Sequence, residues 1–112
     1  MLVSEIDNYL KTSDQWKLMG HAYDQKILDE AQRLSNEHKA VVAIFLNDQN
    51  IGQLSYILPG ELKMSGSWEL KVPNSVAFFI NDQVNSYVNK SLSYAFARNL
   101  LPKVMIYSRN YW

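Results

Sequence analysis

The sequence predicts an α+β domain: an N-terminal helix or helix pair, a five-stranded antiparallel meander, a C-terminal helix and a final short strand. Three observations predict it. Apolar residues recur by threes and fours over 16–34 and again over 84–99, the period of a helix with one buried stripe. Between those stretches lie short β-branched and aromatic runs, separated by Asn, Asp, Gly and Pro clusters, as in strands joined by turns. The 112 residues contain no internal repeat, so they read as one domain, residues 1–112, around one core.

Ser4, with Asp7 three residues on, starts a short first helix that runs to Leu10. Thr12-Ser13-Asp14-Gln15 reads as a capping box opening a long helix to about Ser35. Its stripe is Trp16, Met19, Tyr23, Ile27, Ala31 and Leu34, with Asp29 and Arg33 paired on the wet side. Gly20 inside it costs ~1 kcal/mol relative to alanine and marks a place where that helix can break.

Ala40 to Leu46 is apolar throughout and reads as a strand covered on both faces. Asn47 to Asn50 turns the chain, and Ile51 to Leu58 returns with Leu54, Tyr56 and Leu58 on one face. Pro59-Gly60 predicts a bend. Leu62 and Met64, then Trp68, Leu70 and Val72, alternate with polar residues on either side of Ser65-Gly66-Ser67, the signature of a hairpin. Pro73-Asn74 turns again, and Ser75 to Ile80 is the fifth strand. Asn81 or Asp82 caps a helix to about Leu100, Pro102 stops it, and Lys103 to Ser108 is the final strand.

Two features are unusual for a self-contained domain. The strands around Val42 and Phe79, expected at the outside of the meander, are apolar on both faces, where an open edge carries charge or proline. The outward face of the last predicted helix, Asn85, Ser86, Asn89, Lys90 and Ser93, is built from poor helix formers that hydrogen-bond well. Such a face suits contact with another polar surface.

Chemistry of its own is not expected. The four glycines, at 20, 52, 60 and 66, are too scattered for a phosphate-binding loop, and no serine lies in a nucleophile elbow. Of the two histidines, His21 is expected outward beside Lys17 and Asp24, and His38 in a loop; neither has a companion set of metal ligands. No cysteine is present, and no cofactor or metal is expected. The first residues lack a basic stretch followed by an apolar run, and no apolar stretch reaches the ~20 residues that span a bilayer, so the expected setting is the cytoplasm.

Net charge is zero, yet the chain is asymmetric: beyond Asp82 there is no acidic residue, only Lys90, Arg98, Lys103 and Arg109. Fourteen aromatic residues exceed what one small core needs, and Trp and Tyr are common interface anchors. The expected function is therefore protein binding, with another protein or with a second copy in a homo-oligomer. The domain would act as an adaptor, an assembly subunit, or an inhibitor of the kind mobile-element proteins supply. Its expected contact surface is Asn85, Ser86, Asn89 and Ser93 with Tyr111 and Trp112. The alternative is single-stranded nucleic-acid binding through Lys90, Tyr94, Arg98, Lys103 and Arg109, where cations track phosphates and rings stack on bases.

Overall fold

A computed structural model describes residues 3–47, 52–77 and 87–109. The α+β class is as predicted. Helix α1 (Val3–Thr12) is the short first helix, laying Ile6 and Leu10 on the sheet. Lys11 sits 2.8 Å from Asp7 one turn back, the favourable acid-before-base order. The polar cluster that follows ends this helix instead of starting another. The Thr12 hydroxyl donates back to the Asn8 carbonyl at 2.8 Å, and Ser13 Oγ accepts from the Gln15 amide at 3.1 Å. The bond closes a local turn, and the chain runs on into a strand, so no helix follows for it to cap.

The long helix predicted over 13–35 is two elements, strand β1 (Trp16–His21) and helix α2 (Gln25–Asn36). Gly20 decides the break. Its φ of 152° lies where only glycine is comfortable, and β1 bulges there, Met19 being skipped in the register. Asp24 then caps α2, its carboxylate accepting from the Lys26 amide at 3.0 Å. On the wet face the predicted Asp29–Arg33 pair does not form. Arg33 forks instead between Glu30 and Glu37, and its guanidinium holds the Glu30 carboxyl below its ordinary pKa. Asp29 accepts from Gln25.

Helix α2 stops at His38, whose φ is 66°. Its amide donates to Ser35 at 2.9 Å and that of Lys39 to Leu34 at 3.0 Å, the paired bonds of a left-handed helix stop. Glycine or asparagine normally fills this position, because a Cβ there costs roughly 1–2 kcal/mol. His38→Gly should therefore raise stability by about 0.5–1 kcal/mol, the gain being trimmed by glycine's freer unfolded chain. Chemical denaturation would show it as a higher midpoint at unchanged slope.

Strands β2 (Val41–Leu46) and β3 (Gly52–Ile57) follow as predicted. The next hairpin is shorter than expected, β4 (Lys63–Met64) with β5 (Lys71–Val72), and Trp68 lies in its turn, not in a strand. Ser65 organises that turn: its amide donates to the Leu70 carbonyl, its carbonyl accepts from the Glu69 amide, and its hydroxyl accepts from the Trp68 amide. Asn74 does not turn the chain; it opens β6 (Asn74–Ala77).

The C-terminal helix predicted from 81 or 82 to 100 is corrected within the described part. Residues 87–91 are strand β7 (Tyr87–Ser91), and two 3-10 helices follow, Leu92–Tyr94 and Arg98–Lys103. Asn89 adopts a φ of 60°, which no helix interior tolerates, and it is the bulged residue opposite Ser75 and Val76. Asn89, one of the poor helix formers of that predicted face, has this role instead. Pro102 lies inside the second 3-10 turn, and β8 (Met105–Arg109) is the predicted last strand.

The sheet is six-stranded, in the order β1-β8-β2-β3-β6-β7, antiparallel at every described pairing, with β4-β5 apart as a two-stranded ribbon. Thus β2 is internal, not an outer strand, and its unbroken apolar run has a simple cause. Val41, Ala43 and Phe45 face a core shared with Leu28 and Ala31 of α2, Trp68, Leu92, Phe96 and Ile106. Val42 and Ile44 face the other way, with Leu10 and Tyr107 under α1. Phe79, the other strand centre flagged by the sequence, lies outside the described residues.

Side-chain amides of α2 lock the helix to the β4-β5 ribbon and to the β3–β6 side of the sheet. Gln25 pairs with both backbone groups of Lys71 at 2.8 and 2.9 Å, as a strand residue would. Two turns on, Gln32 donates to the Leu58 carbonyl and accepts from the Asn74 amide, both at 2.8 Å. Asn36 makes a reciprocal pair with Gly60. These bonds satisfy backbone groups that sheet pairing leaves over.

Candidate protein-binding face

The register places one residue of every strand on a single line across the α1 side of the sheet. Leu18 pairs with Tyr107, Tyr107 with Val42, Val42 with Tyr56, Tyr56 with Val76, and Val76 with Val88. Directly paired residues project to the same face, so this is a continuous apolar row from edge to edge. Helix α1 covers its middle, where Val42 and Tyr107 are buried. Burial, and beyond it the charge of Asp7, pushes the Tyr107 hydroxyl above its ordinary pKa; hydrogen bonding to Asp7 does the same for the Lys11 ammonium.

Beyond α1, on the β3 side, the row lies open among the described residues. Tyr56 is 51% exposed and Val88 64%, with Val76 partly covered between them. At the margin of the helix the same surface deepens into a groove of about 340 Å³, walled by Tyr9, Ile6 and Trp16 and floored by Leu54 and Tyr56. Glu5 is the one charged residue among those that line it. A sheet face this apolar and this open is uncommon, because solvent-facing sheet surfaces ordinarily alternate to polar residues.

A second, wetter cleft of about 550 Å³ lies where the Pro59–Gly60 bend meets the end of β7. Lys63, Lys90, Glu61 and Tyr94 line it, and Lys90 Nζ stands 5.3 Å from the centre of the Tyr94 ring. Asn74 and Asn89 form its back wall and are bonded to each other at 3.0 Å.

The residues singled out from the sequence scatter across these surfaces. Asn89 and Lys90 are on β7, Ser93 and Tyr94 in the first 3-10 helix. Asn85, Ser86, Tyr111 and Trp112 lie outside the described residues. Arg98 bonds Glu69 at 3.2 Å, so its charge is already matched. Lys103 is exposed in the second 3-10 helix, and Arg109 sits opposite Trp16 on β8. Since β2, β3 and β6 separate β8 from β7, Arg109 is about 19 Å from Lys90 across the sheet. Only Lys90 and Tyr94 of the basic, aromatic set are brought together.

The two histidines lie apart, His38 just past the end of α2. His21 is on β1, not outward on a helix; its ring stacks on Tyr23 at 4.8 Å, and its Nδ1 is buried with no hydrogen-bond partner in the described structure. Among the described residues, no three His, Asp or Glu side chains gather to hold a metal ion.

The sequence pointed past the open face. The sequence puts Leu54 and Tyr56 on one side of their strand, as they are, but does not say whether that side is covered. Val88, by its spacing, reads as part of the helical stripe over 84–99. The available signal was β2, whose apolar residues on both faces mark a sheet with apolar surface on both sides. No family model matches the chain, and no curated protein matches it in sequence.

Proposed function

We propose that this domain is a non-enzymatic protein-binding module whose contact surface is the open strip of Tyr9, Leu54, Tyr56, Val76 and Val88. One observation carries the reading: the apolar row that crosses all six strands runs on past α1 to Val88, exposed at Tyr56 and Val88 and partly covered at Val76 between them. Isolated exposed apolar residues need no explanation, but a contiguous patch continuous with a groove marks an interaction surface on a folded protein. The partner this surface suits is an apolar segment of another protein.

The test is a capture experiment from native cell extract, with nuclease added, comparing the wild type with a Tyr56→Ser/Val88→Ser double variant. Both side chains are more than half exposed, so the variant keeps its fold, with stability changing by about 0.5 kcal/mol or less per site. The expected result is a protein retained by the wild type through nuclease treatment and lost with the variant. Equal retention by both proteins, or loss on nuclease treatment alone, overturns the reading.

A second reading, single-stranded nucleic-acid binding, is favoured by the Lys90–Tyr94 stack with Lys63 in the same cleft. Two lysines would contact about two phosphates. Affinity should then fall with salt at a slope of roughly 0.7 per phosphate, and unaltered affinity across a salt series would dismiss it.

A further inference from the structure

We infer that the occupant of the open strip is a single amphipathic helix of the partner, lying beside α1 on the sheet; this rests on the protein-binding reading above. Three observations choose a helix. The first is width. The bare surface runs from β3 through β6 to β7, two strand spacings, or about 10 Å, the diameter of one helix and the usual distance between neighbouring helix axes. Helix α1 already occupies the adjoining lane, and Tyr9 on its flank forms one wall of the groove. A second helix would complete the layer that α1 begins.

The second observation is area. Tyr9 and Tyr56, each half exposed, and Val88, with the partly covered Leu54 and Val76, present on the order of 400 Å² of surface, most of it apolar. A stable interface between folded subunits takes about 800 Å² from each side. The strip is half that, which suits a short segment with one apolar stripe of about three turns, and is too small for a lasting pair of sheets.

The third is chemistry. The backbone groups beneath the strip are consumed by the sheet's own pairing, so an extended partner has nothing to bond there. It would have to add at the rim of β7, where the Asn89 bulge interrupts the ladder. Glu5, the one charge lining the groove, calls for a Lys or Arg at the margin of the partner's apolar stripe.

The experiment pans the full chain against a displayed library that mixes helix-patterned peptides of about 12 residues, some 18 Å when helical, with extended peptides of the same length. The expected winners carry apolar residues at i, i+3, i+4 and i+7 with a basic residue alongside, and gain helical circular dichroism on binding. They should shift the amide resonances of Tyr56 and Val88, and lose tenfold or more in affinity to Tyr56→Ser/Val88→Ser while Lys90→Ser leaves them unchanged. Winners with alternating patterns that move β7 amides, or a chain that is dimeric alone and monomeric as the double variant, overturn the helix and leave protein binding standing. If no peptide's retention depends on Tyr56 and Val88 while the capture experiment succeeds, the helix is again overturned; if both fail, the protein-binding reading goes with it.

Discussion

Replacing Trp68 with alanine should cost about 3–5 kcal/mol, the usual range for emptying a buried aromatic site. The side chain is 3% exposed, although it belongs to a turn between two strands of only two residues each. Its indole N–H donates to the Phe96 carbonyl at 3.0 Å, in the stretch between the two 3-10 helices. The side chain thus joins the β4-β5 ribbon and the 3-10 segment through the core of α2, beside the polar ties of Gln25 to Lys71 and Arg98 to Glu69. Against a total stability of 5–15 kcal/mol for domains in general, the loss is a large fraction. Thermal unfolding should shift down by roughly 15 °C or more. Trp68→Phe separates the two contributions: it keeps most of the packing and removes only the bond, for a cost of about 1–2 kcal/mol. A melting temperature within a few degrees of wild type for the alanine variant would contradict this account of the core.

Gly20→Ala should be the next most costly change, at about 2–3 kcal/mol. Two penalties add. At a φ of 152° an L side chain is strained whatever the space around it, and the added Cβ would lie 3.0 Å from Cδ1 and Cγ1 of Ile27 on α2. Relief requires Ile27 to move out of the core or the β1 bulge to straighten. Straightening would pass Met19 into the register and turn either Leu18 or His21 to the opposite face, because a one-residue slip inverts the faces of a strand. Denaturant titration reads the loss directly. Ile27→Ala in the same background separates the causes: it should recover the steric part and leave the backbone part. If Gly20→Ala proved as stable as wild type, the bulge could not be what divides β1 from α2.

That division is also where the sequence was hardest to read. Trp16, Met19, Tyr23 and Ile27 keep a helical rhythm across a strand, a turn and the start of a helix, because a bulge adds one residue and so breaks the two-residue alternation of β1. Periodicity alone cannot tell such a sequence from a helix, and Gly20 was the only local clue. The same holds at β7: Asn89 bulges, and Val88 with Leu92 then mimics one helical turn. By contrast α1, β2, β3 and β8 were legible, since each follows a single rule from end to end, a capped amphipathic turn or a β-branched run. The functional face needed pairing information no sequence pattern holds. Tyr56, Val76 and Val88 are twelve to thirty-two residues apart in the chain, and only the register puts them in one row.

The place of β8 bears on how the chain reaches this fold. It is the last described strand, yet it lies between β1 and β2, the first two, pairing with both. A nascent chain can close the β2-β3 hairpin early, because its partners are near in sequence. It must hold β1 and the free rim of β2 apart until Met105 to Arg109 have been made. Closure of this half of the sheet thus waits on a strand more than sixty residues from β2, a long loop to close before the pairing repays it.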